Sequence, residues 1–348
     1  MLVQIEREET LVPLTFDEPL PGQLVDSFGR VINSLRISVT DRCNLRCTYC
    51  MPEEVEFMQR DLVLSYEEIA RFVRIVAPLG INKLRITGGD PLIRKDLPIL
   101  IRQLDAIDGI NDIGMTTNGF FLEEHAQSLK DAGLHRINVS LDTLVKEKFV
   151  EITRRDALQN VLDGIRAAGR VGFSPIKINA VAIRSFTDDE VLDFAELARN
   201  QGHQVRFIEF MPLDADDAWE MQKVLPGREI IERIDAAFPL EAINNNQKEP
   251  ATLYRFKDGI GGDIGIIPSV TEPFCDHCNR IRITSDGKLR TCLFSIRETD
   301  IRSLLRGDAG DEMIARQVVE AVRNKEPGHK INQPDFIKPQ RAMFSIGG

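Results

Sequence analysis

No apolar run in this 348-residue chain comes near the about 20 residues that a membrane-spanning helix needs. An excess of positive charge is missing too: 44 lysines and arginines stand against 54 aspartates and glutamates, a formal net charge of −10. A nucleic-acid scaffold usually carries a basic excess, so that class is disfavoured. Any anionic ligand must instead be held by arginines and lysines gathered locally. The stretch Met1 to Pro21 is acidic, unlike a secretory leader. The chain therefore reads as cytoplasmic, with no nucleic-acid and no membrane partner. It shows no low-complexity tract, and no repeat beyond alternating strands and helices. No cysteine is left over either: the six fall into two groups of three.

The first group is Cys43, Cys47 and Cys50, a C-x3-C-x2-C array within Cys43-Asn44-Leu45-Arg46-Cys47-Thr48-Tyr49-Cys50. Thiols this dense, without a secretory leader, point to a metal centre rather than to disulfides. Three ligands are one fewer than a closed zinc site or a fully ligated iron–sulfur cluster uses. A metal left one ligand short keeps a position open for substrate. A zinc loop whose fourth ligand lies elsewhere is the other reading. The second group, Cys275, Cys278 and Cys292, is spaced C-x2-C-x13-C around Asp276-His277. Spacing alone leaves it open between a Cys3His zinc knuckle and a second cluster.

From Asn33 the pattern runs strand then helix, several times over, which predicts a parallel sheet with helical crossovers. Leu35, Ile37 and Val39 alternate with Arg36, Ser38 and Thr40; Leu84 and Ile86 alternate with Arg85 and Thr87. Ile113 and Met115 flank Gly114 and precede Thr116. Ile137, Val139 and Leu141 alternate with Arg136, Asn138 and Ser140, and Ile176 and Ile178 with Lys177 and Asn179. A doubly wound sheet covered on both faces would read as continuous apolar runs. These strands have one apolar and one polar face, as in a wide or incomplete barrel around a ligand. The polar set names a lumen: Arg36, Arg85, Thr116, Asn138, Ser140, Lys177 and Asn179. Val205–Met211 stays undecided, because Arg206 and Glu209 have opposite parity.

Ser65-Tyr66-Glu67-Glu68 is a capping box for a helix closing near Gly80. Thr187-Asp188-Asp189-Glu190 is expected to open another that closes near Gly202. With a helix over Glu123 to Ala132, about six strand–helix units result, fewer than the eight of a complete barrel. The expected organisation is an extended arm over 1–24, a partial barrel over 25–212 and a smaller C-terminal domain over 213–348. In the last, Ser285-Asp286-Gly287 separates Arg280–Thr284 from Lys288–Leu293 and reads as a hairpin. Arg280 and Arg282 share one face of that hairpin, and their guanidinium forks suit phosphate oxygens. A solvated charge pair is the bland alternative. After the second strand, Thr87-Gly88-Gly89-Asp90-Pro91 offers a backbone that a ligand can approach closely.

The C-x3-C-x2-C array with an aromatic before its last cysteine resembles the signature of the radical S-adenosylmethionine (SAM) superfamily. More narrowly, Leu35-Arg36-Ile37-Ser38-Val39-Thr40-Asp41-Arg42-Cys43-Asn44 and Cys275-Asp276-His277-Cys278-Asn279-Arg280-Ile281-Arg282 resemble the GTP 3′,8-cyclases that open molybdenum-cofactor biosynthesis. The fold this implies is α/β: an incomplete (β/α)6-type radical SAM barrel with a smaller C-terminal α+β extension. The activity implied is that of a lyase converting GTP to 3′,8-cyclo-7,8-dihydro-GTP through a 5′-deoxyadenosyl radical. Carried over by position, the resemblance puts a [4Fe–4S] cluster on Cys43, Cys47 and Cys50, with SAM on its open iron. It puts a second [4Fe–4S] cluster, facing guanine, on Cys275, Cys278 and Cys292.

The resemblance further assigns SAM contacts to Tyr49, Gly88, Gly89, Asp90, Ser140 and Met211. GTP contacts fall on Arg36, Arg85, Thr116, Lys177, Arg280 and Arg282. Catalytic help falls on Arg36, Arg280 and Arg282 and on a tail ending in Gly347 and Gly348. Asp90 stands where the superfamily usually has Glu. The partners implied are an external one-electron donor, a downstream cyclic pyranopterin monophosphate synthase and a second copy of the chain in a homodimer. A radical SAM enzyme that modifies a peptide or protein is the alternative within the superfamily. A non-catalytic zinc module is the alternative outside it.

Overall fold

The computed structural model describes residues 19–214, 217–243 and 249–347. Most of the expected arm therefore lies outside the described residues, as does Gly348. Strands β1 (Leu24–Val25) and β2 (Val31–Ile32) form a small ladder of their own. The alternating part follows as β3 (Ser34–Ser38), α1 (Tyr66–Val76), β4 (Lys83–Thr87), α2 (Leu97–Asp105), β5 (Asp112–Thr117) and α3 (Leu122–Asp131). It continues through β6 (Arg136–Ser140), α4 (Lys146–Thr153), α5 (Leu158–Arg170), β7 (Lys177–Ala182), α6 (Val191–Gln201) and β8 (Gln204–Glu209). Beyond it come α7 (Gly227–Ala237), β9 (Leu240–Ile243), β10 (Thr252–Phe256), β11 (Asp263–Ile267), β12 (Arg280–Ile283) and β13 (Lys288–Arg290). The last elements are β14 (Thr299–Asp300), α8 (Ile301–Arg306), α9 (Asp311–Arg323) and α10 (Met343–Ile346).

Twelve of these strands make one open sheet, ordered β14-β13-β12-β3-β4-β5-β6-β7-β8-β11-β10-β9. The six strands β3 to β8 are parallel neighbours in chain order, as the strand–helix alternation predicts. The C-terminal strands extend this sheet at both edges, with β12 parallel to β3 and β11 parallel to β8. No local pattern announces that pairing, because each partner lies more than 50 residues away in sequence.

The apolar parity of each strand faces the helices. Leu35, Ile37, Ile86, Ile113, Met115, Ile137 and Val139 are buried there, against Phe72 and Val73 of α1 among others. Each such side chain contributes about 2 kcal/mol by leaving water. Helix α1 opens with the expected capping box: Ser65 accepts from the Glu68 N–H, and the Glu68 carboxylate accepts from the Ser65 N–H. The left-handed Gly80 ends the 3-10 turn that follows.

Helix α6 starts later than the Thr187–Glu190 signal suggests, at Val191. The reason is that both side chains are engaged elsewhere. Thr187 accepts from the Ile183 N–H, and buried Glu190 accepts from the Thr143 hydroxyl and the Leu144 N–H. Among the described residues no helix is long and apolar enough to cross a membrane.

Candidate active site

Strand register turns the polar parity into rows across the sheet. Arg282 of β12 pairs with Arg36 of β3, which pairs with Arg85 of β4, which pairs with Gly114 of β5. Further along, Thr116 pairs with Asn138 and Asn138 with Lys177, while Ser140 pairs with Asn179 and Asn179 with Arg206. Gly114 is needed in its row. A Cβ there would lie 2.9 Å from the Arg85 guanidinium, which bends over the strand to donate to Asn138 Oδ1 at 2.8 Å.

These rows line one cavity of about 460 Å³ whose wall includes all six cysteines. The two triplets approach it from opposite ends of the strands. Cys43 follows the C-terminal end of β3. Cys278 precedes Arg280, which is paired with Ser34 at the N-terminal start of the same strand. Every lumen residue named from parity lines the cavity, as do Tyr49, Gly88, Gly89, Met211, Arg280 and Arg282. Asp90 and Gly347 are not on that wall.

Asp90 lies behind the wall, 1% exposed. Its carboxylate accepts from the Leu92 and Asn118 N–H groups and from the Thr117 hydroxyl. Burial pushes its pKa up to about 6 despite those bonds. The two glycines before it serve first to bring two loops together: the Gly89 and Asp90 N–H groups donate to the carbonyls of Thr40 and Arg42. A Cβ at Gly89 would stand 2.4 Å from the Arg42 carbonyl oxygen. The motif thus holds the backbone that leads into Cys43.

Gly347 is inserted at the sheet. A Cβ on it would meet Ser38 and Thr87 at 2.7 Å, and its carbonyl accepts from Arg282 Nη1 at 3.1 Å. Ahead of it, Met343 and Phe344 line the cavity, and the Phe344 N–H donates to the Cys50 sulfur.

Several site residues escaped the sequence reading. Arg206 is one. Its side chain enters the lumen, while Glu209, of opposite parity, turns outward to accept from the N–H groups of Gly227, Val270 and Thr271. Arg136, Lys83, Asn118, Asp142, Glu249 and His329 also line the cavity. Asp142 had a signal only in hindsight: two residues past the end of β6, it continues the inward parity of Asn138 and Ser140. It accepts from the Tyr49 hydroxyl at 2.6 Å and the Val181 N–H at 2.8 Å.

The site is strongly cationic and short of counter-charge. Burial, then the guanidiniums of Arg282, Arg280 and Arg85, drives the pKa of Arg36 well down. Burial, then Arg206 and Arg136, brings Lys177 down to about 7. Among the described residues two carboxylates answer these cations: Asp112 pairs with Arg136, and Glu249 stands 3.6 Å from Arg206. The buried Arg206 Nη2 and Asn179 Oδ1 have no hydrogen-bond partner among the described residues. Such a wall lacks an anion.

The thiols fit clusters better than single ions. Among the described residues no three His, Cys, Asp or Glu side chains are grouped to hold one metal ion. Each triplet instead lines the cavity wall, with three thiols where a [4Fe–4S] cluster with one open iron takes three. His277, the fourth ligand of a zinc knuckle, is exposed and off that wall. Burial raises Cys43 to about 11 and Cys50 to about 12, so these thiols ionise only with a compensating positive charge such as bound iron.

Residues 37–198 match the Radical SAM superfamily, and residues 203–331 match Molybdenum Cofactor Synthesis C. The GTP 3′,8-cyclase of Rhodopirellula baltica is 47% identical over 333 residues, covering 94% of this chain and 93% of its own length. The chain belongs to the GTP 3′,8-cyclase family. Its Streptomyces coelicolor relative is 43% identical over 328 residues, covering 93% of this chain and 96% of its own length. Among solved structures, Streptococcus suis SuiB bound to precursor peptide SuiA superposes with a TM-score of 0.61 at 14% identity. That match covers 89% of this chain and 75% of SuiB, and it shows the shared fold alone. As radical SAM enzymes, GTP 3′,8-cyclases use SAM and a [4Fe–4S] cluster.

Proposed function

We propose that this chain is a cytoplasmic lyase that converts GTP to 3′,8-cyclo-7,8-dihydro-GTP, the first step of molybdopterin biosynthesis. The observation that carries the reading is one cation-rich cavity with a cysteine triplet at each end of its strands. When bound, SAM and the cluster on Cys43, Cys47 and Cys50 supply a 5′-deoxyadenosyl radical that takes hydrogen from C3′ of GTP, so that C3′ can close on C8.

The chain's own residues then bind, orient and shield. Tyr49, fixed by Asp142, works with Gly88, Gly89, Ser140 and Met211 to hold SAM; Asp90 acts from behind by tying its loop down. Cys275, Cys278 and Cys292 would hold a second [4Fe–4S] cluster, which would supply an iron for binding guanine. Arg36, Arg85, Thr116, Lys177, Arg280 and Arg282 contact GTP, joined by Arg206. A triphosphate supplies the anion their wall lacks. Arg36, Arg280 and Arg282 are also placed to assist the closing reduction. The tail ending in Gly347 and Gly348 assists catalysis, and the Gly347 carbonyl accepts from Arg282.

In this scheme 25–212 generates the radical and holds most of the nucleotide, 213–348 adds Arg280, Arg282 and the second triplet, and an external one-electron donor reduces the first cluster. A downstream cyclic pyranopterin monophosphate synthase takes the product, and the working unit is a homodimer. The test is anaerobic reconstitution followed by incubation with GTP, SAM and dithionite. About eight iron per chain, 5′-deoxyadenosine and a cyclised GTP product are expected. Arg36→Ala or Cys275→Ser is expected to abolish the cyclised product while SAM cleavage continues. Colourless, zinc-loaded protein, or SAM cleavage with unaltered GTP in the unmodified chain, sinks the reading.

A further inference from the structure

Lys325 is a buried charge that the cavity does not explain. Its side chain is 3% exposed and is not part of the cavity wall, so a bound nucleotide is not its counter-ion. Among the described residues no carboxylate makes an ion pair with it. Leaving an ammonium buried without an anion costs several kcal/mol. What it does sit among is the backbone that carries the second triplet.

The hydrogen bonds place Lys325 at the join of that triplet. Its ammonium donates to the carbonyls of Arg280, two residues past Cys278, and of Thr291, next to Cys292. The following residues continue the work. Glu326 accepts from the Thr291 hydroxyl at 2.7 Å. Its carbonyl and that of Pro327 accept from Arg30, which also donates to the Cys275 carbonyl at 2.9 Å. A Cβ on Gly328 would stand 3.0 Å from the Cys275 sulfur. Residues 325–328 thus reach all three cysteine-bearing stretches. Arg30, unlike Lys325, is neutralised by Asp26 at 2.5 Å.

We propose that Lys325 is a positioning residue of the second triplet, a fixed cation that sets its geometry and stabilises the added electron of the cluster bound there. The inference rests on Cys275, Cys278 and Cys292 holding a [4Fe–4S] cluster. Three thiolates give that cluster a net negative charge, and one-electron reduction adds another. A cation held beside it favours the reduced form and raises the potential.

The experiment is a redox titration followed by electron paramagnetic resonance. It uses the full chain carrying Cys43→Ser, Cys47→Ser and Cys50→Ser, so that one cluster alone gives a signal. With Lys325→Met added, the midpoint potential is expected to shift negative, and Lys325→Arg to return it towards the parent value. An unchanged potential in Lys325→Met overturns the proposal. An equal negative shift in Lys325→Arg, which keeps the charge, overturns it as well. If Lys325→Met fails to hold iron, Lys325→Gln, which keeps a donor and drops the charge, carries the same comparison. A parent chain that takes up no iron overturns the cluster reading of the triplet and this inference with it, a result distinct from any shift in potential.

Discussion

A buried cation in an acidic protein is held at a cost of several kcal/mol unless an anion arrives to meet it. The lumen holds this tension at Arg36, Arg85, Lys177, Arg206 and Arg282, whose pKa values are all lowered, chiefly by burial. Lys177 is the informative one, because its value of about 7 falls in the working range. In the ligand-free site its neutral form dominates above about pH 7. A triphosphate favours the ammonium, so its pKa rises on binding and the complex takes up a proton. Binding should therefore weaken as pH climbs above 7, by up to about tenfold per pH unit while one proton is linked. Calorimetry at pH 8 in two buffers of different ionisation enthalpy reads the uptake directly. Up to about one proton per GTP is expected in the unmodified chain and a smaller number in Lys177→Met. An identical proton count in both would remove Lys177 from the phosphate site.

The loop after β4 shows how an element sets a site that it barely touches. Gly88 and Gly89 press the loop on the 40–42 backbone, and Asp90 locks its far side. In Gly89→Ala the new methyl meets the 41–42 backbone, at 2.4 Å from the Arg42 oxygen and 2.7 Å from that of Asp41. The stretch leading to Cys43 must then move. The expected result is loss of the first cluster with the second retained, read as a fall from about eight to about four iron per chain. Full iron content in Gly89→Ala would mean the loop contact does not position the thiols. Elements of this kind also mark what could be read in advance. Strands β3 to β7 are legible because one face is apolar and the other polar, so period-two parity alone names Arg36, Arg85, Thr116, Asn138, Ser140 and Lys177. Parity failed at β8, where Arg206 points in and Glu209 leaves the sheet to bind the N–H groups of another loop. It could not reach Lys325 or Arg30, whose roles come from carbonyl contacts with residues 34 to 297 positions away along the chain.

At the scale of the whole molecule the two halves of the chain share a sheet, and this bears on how the cavity is built. The barrel strands end at β3 on one side and β8 on the other, and both edges are covered by strands from beyond residue 212. Arg282 enters the lumen only because β12 sits in register beside β3, with Arg282 opposite Arg36. The second triplet is carried to the N-terminal side of the strands by that same pairing. A chain cut after 212 would expose two parallel edge strands with unpaired N–H and C=O groups, the feature that drives edge-to-edge aggregation. Expressed alone, residues 1–212 should therefore be largely insoluble or aggregated. Co-expression with 213–348 should return soluble, two-part protein in which both pieces unfold in a single transition. The measurement is soluble yield with size-exclusion chromatography and a denaturant melt. A monodisperse 1–212 piece that carries iron on Cys43, Cys47 and Cys50 and melts as it does in the complete chain would show that the covered edges are dispensable. In that case the extension would be an added module, and the sheet would owe its stability to the six strand–helix units alone.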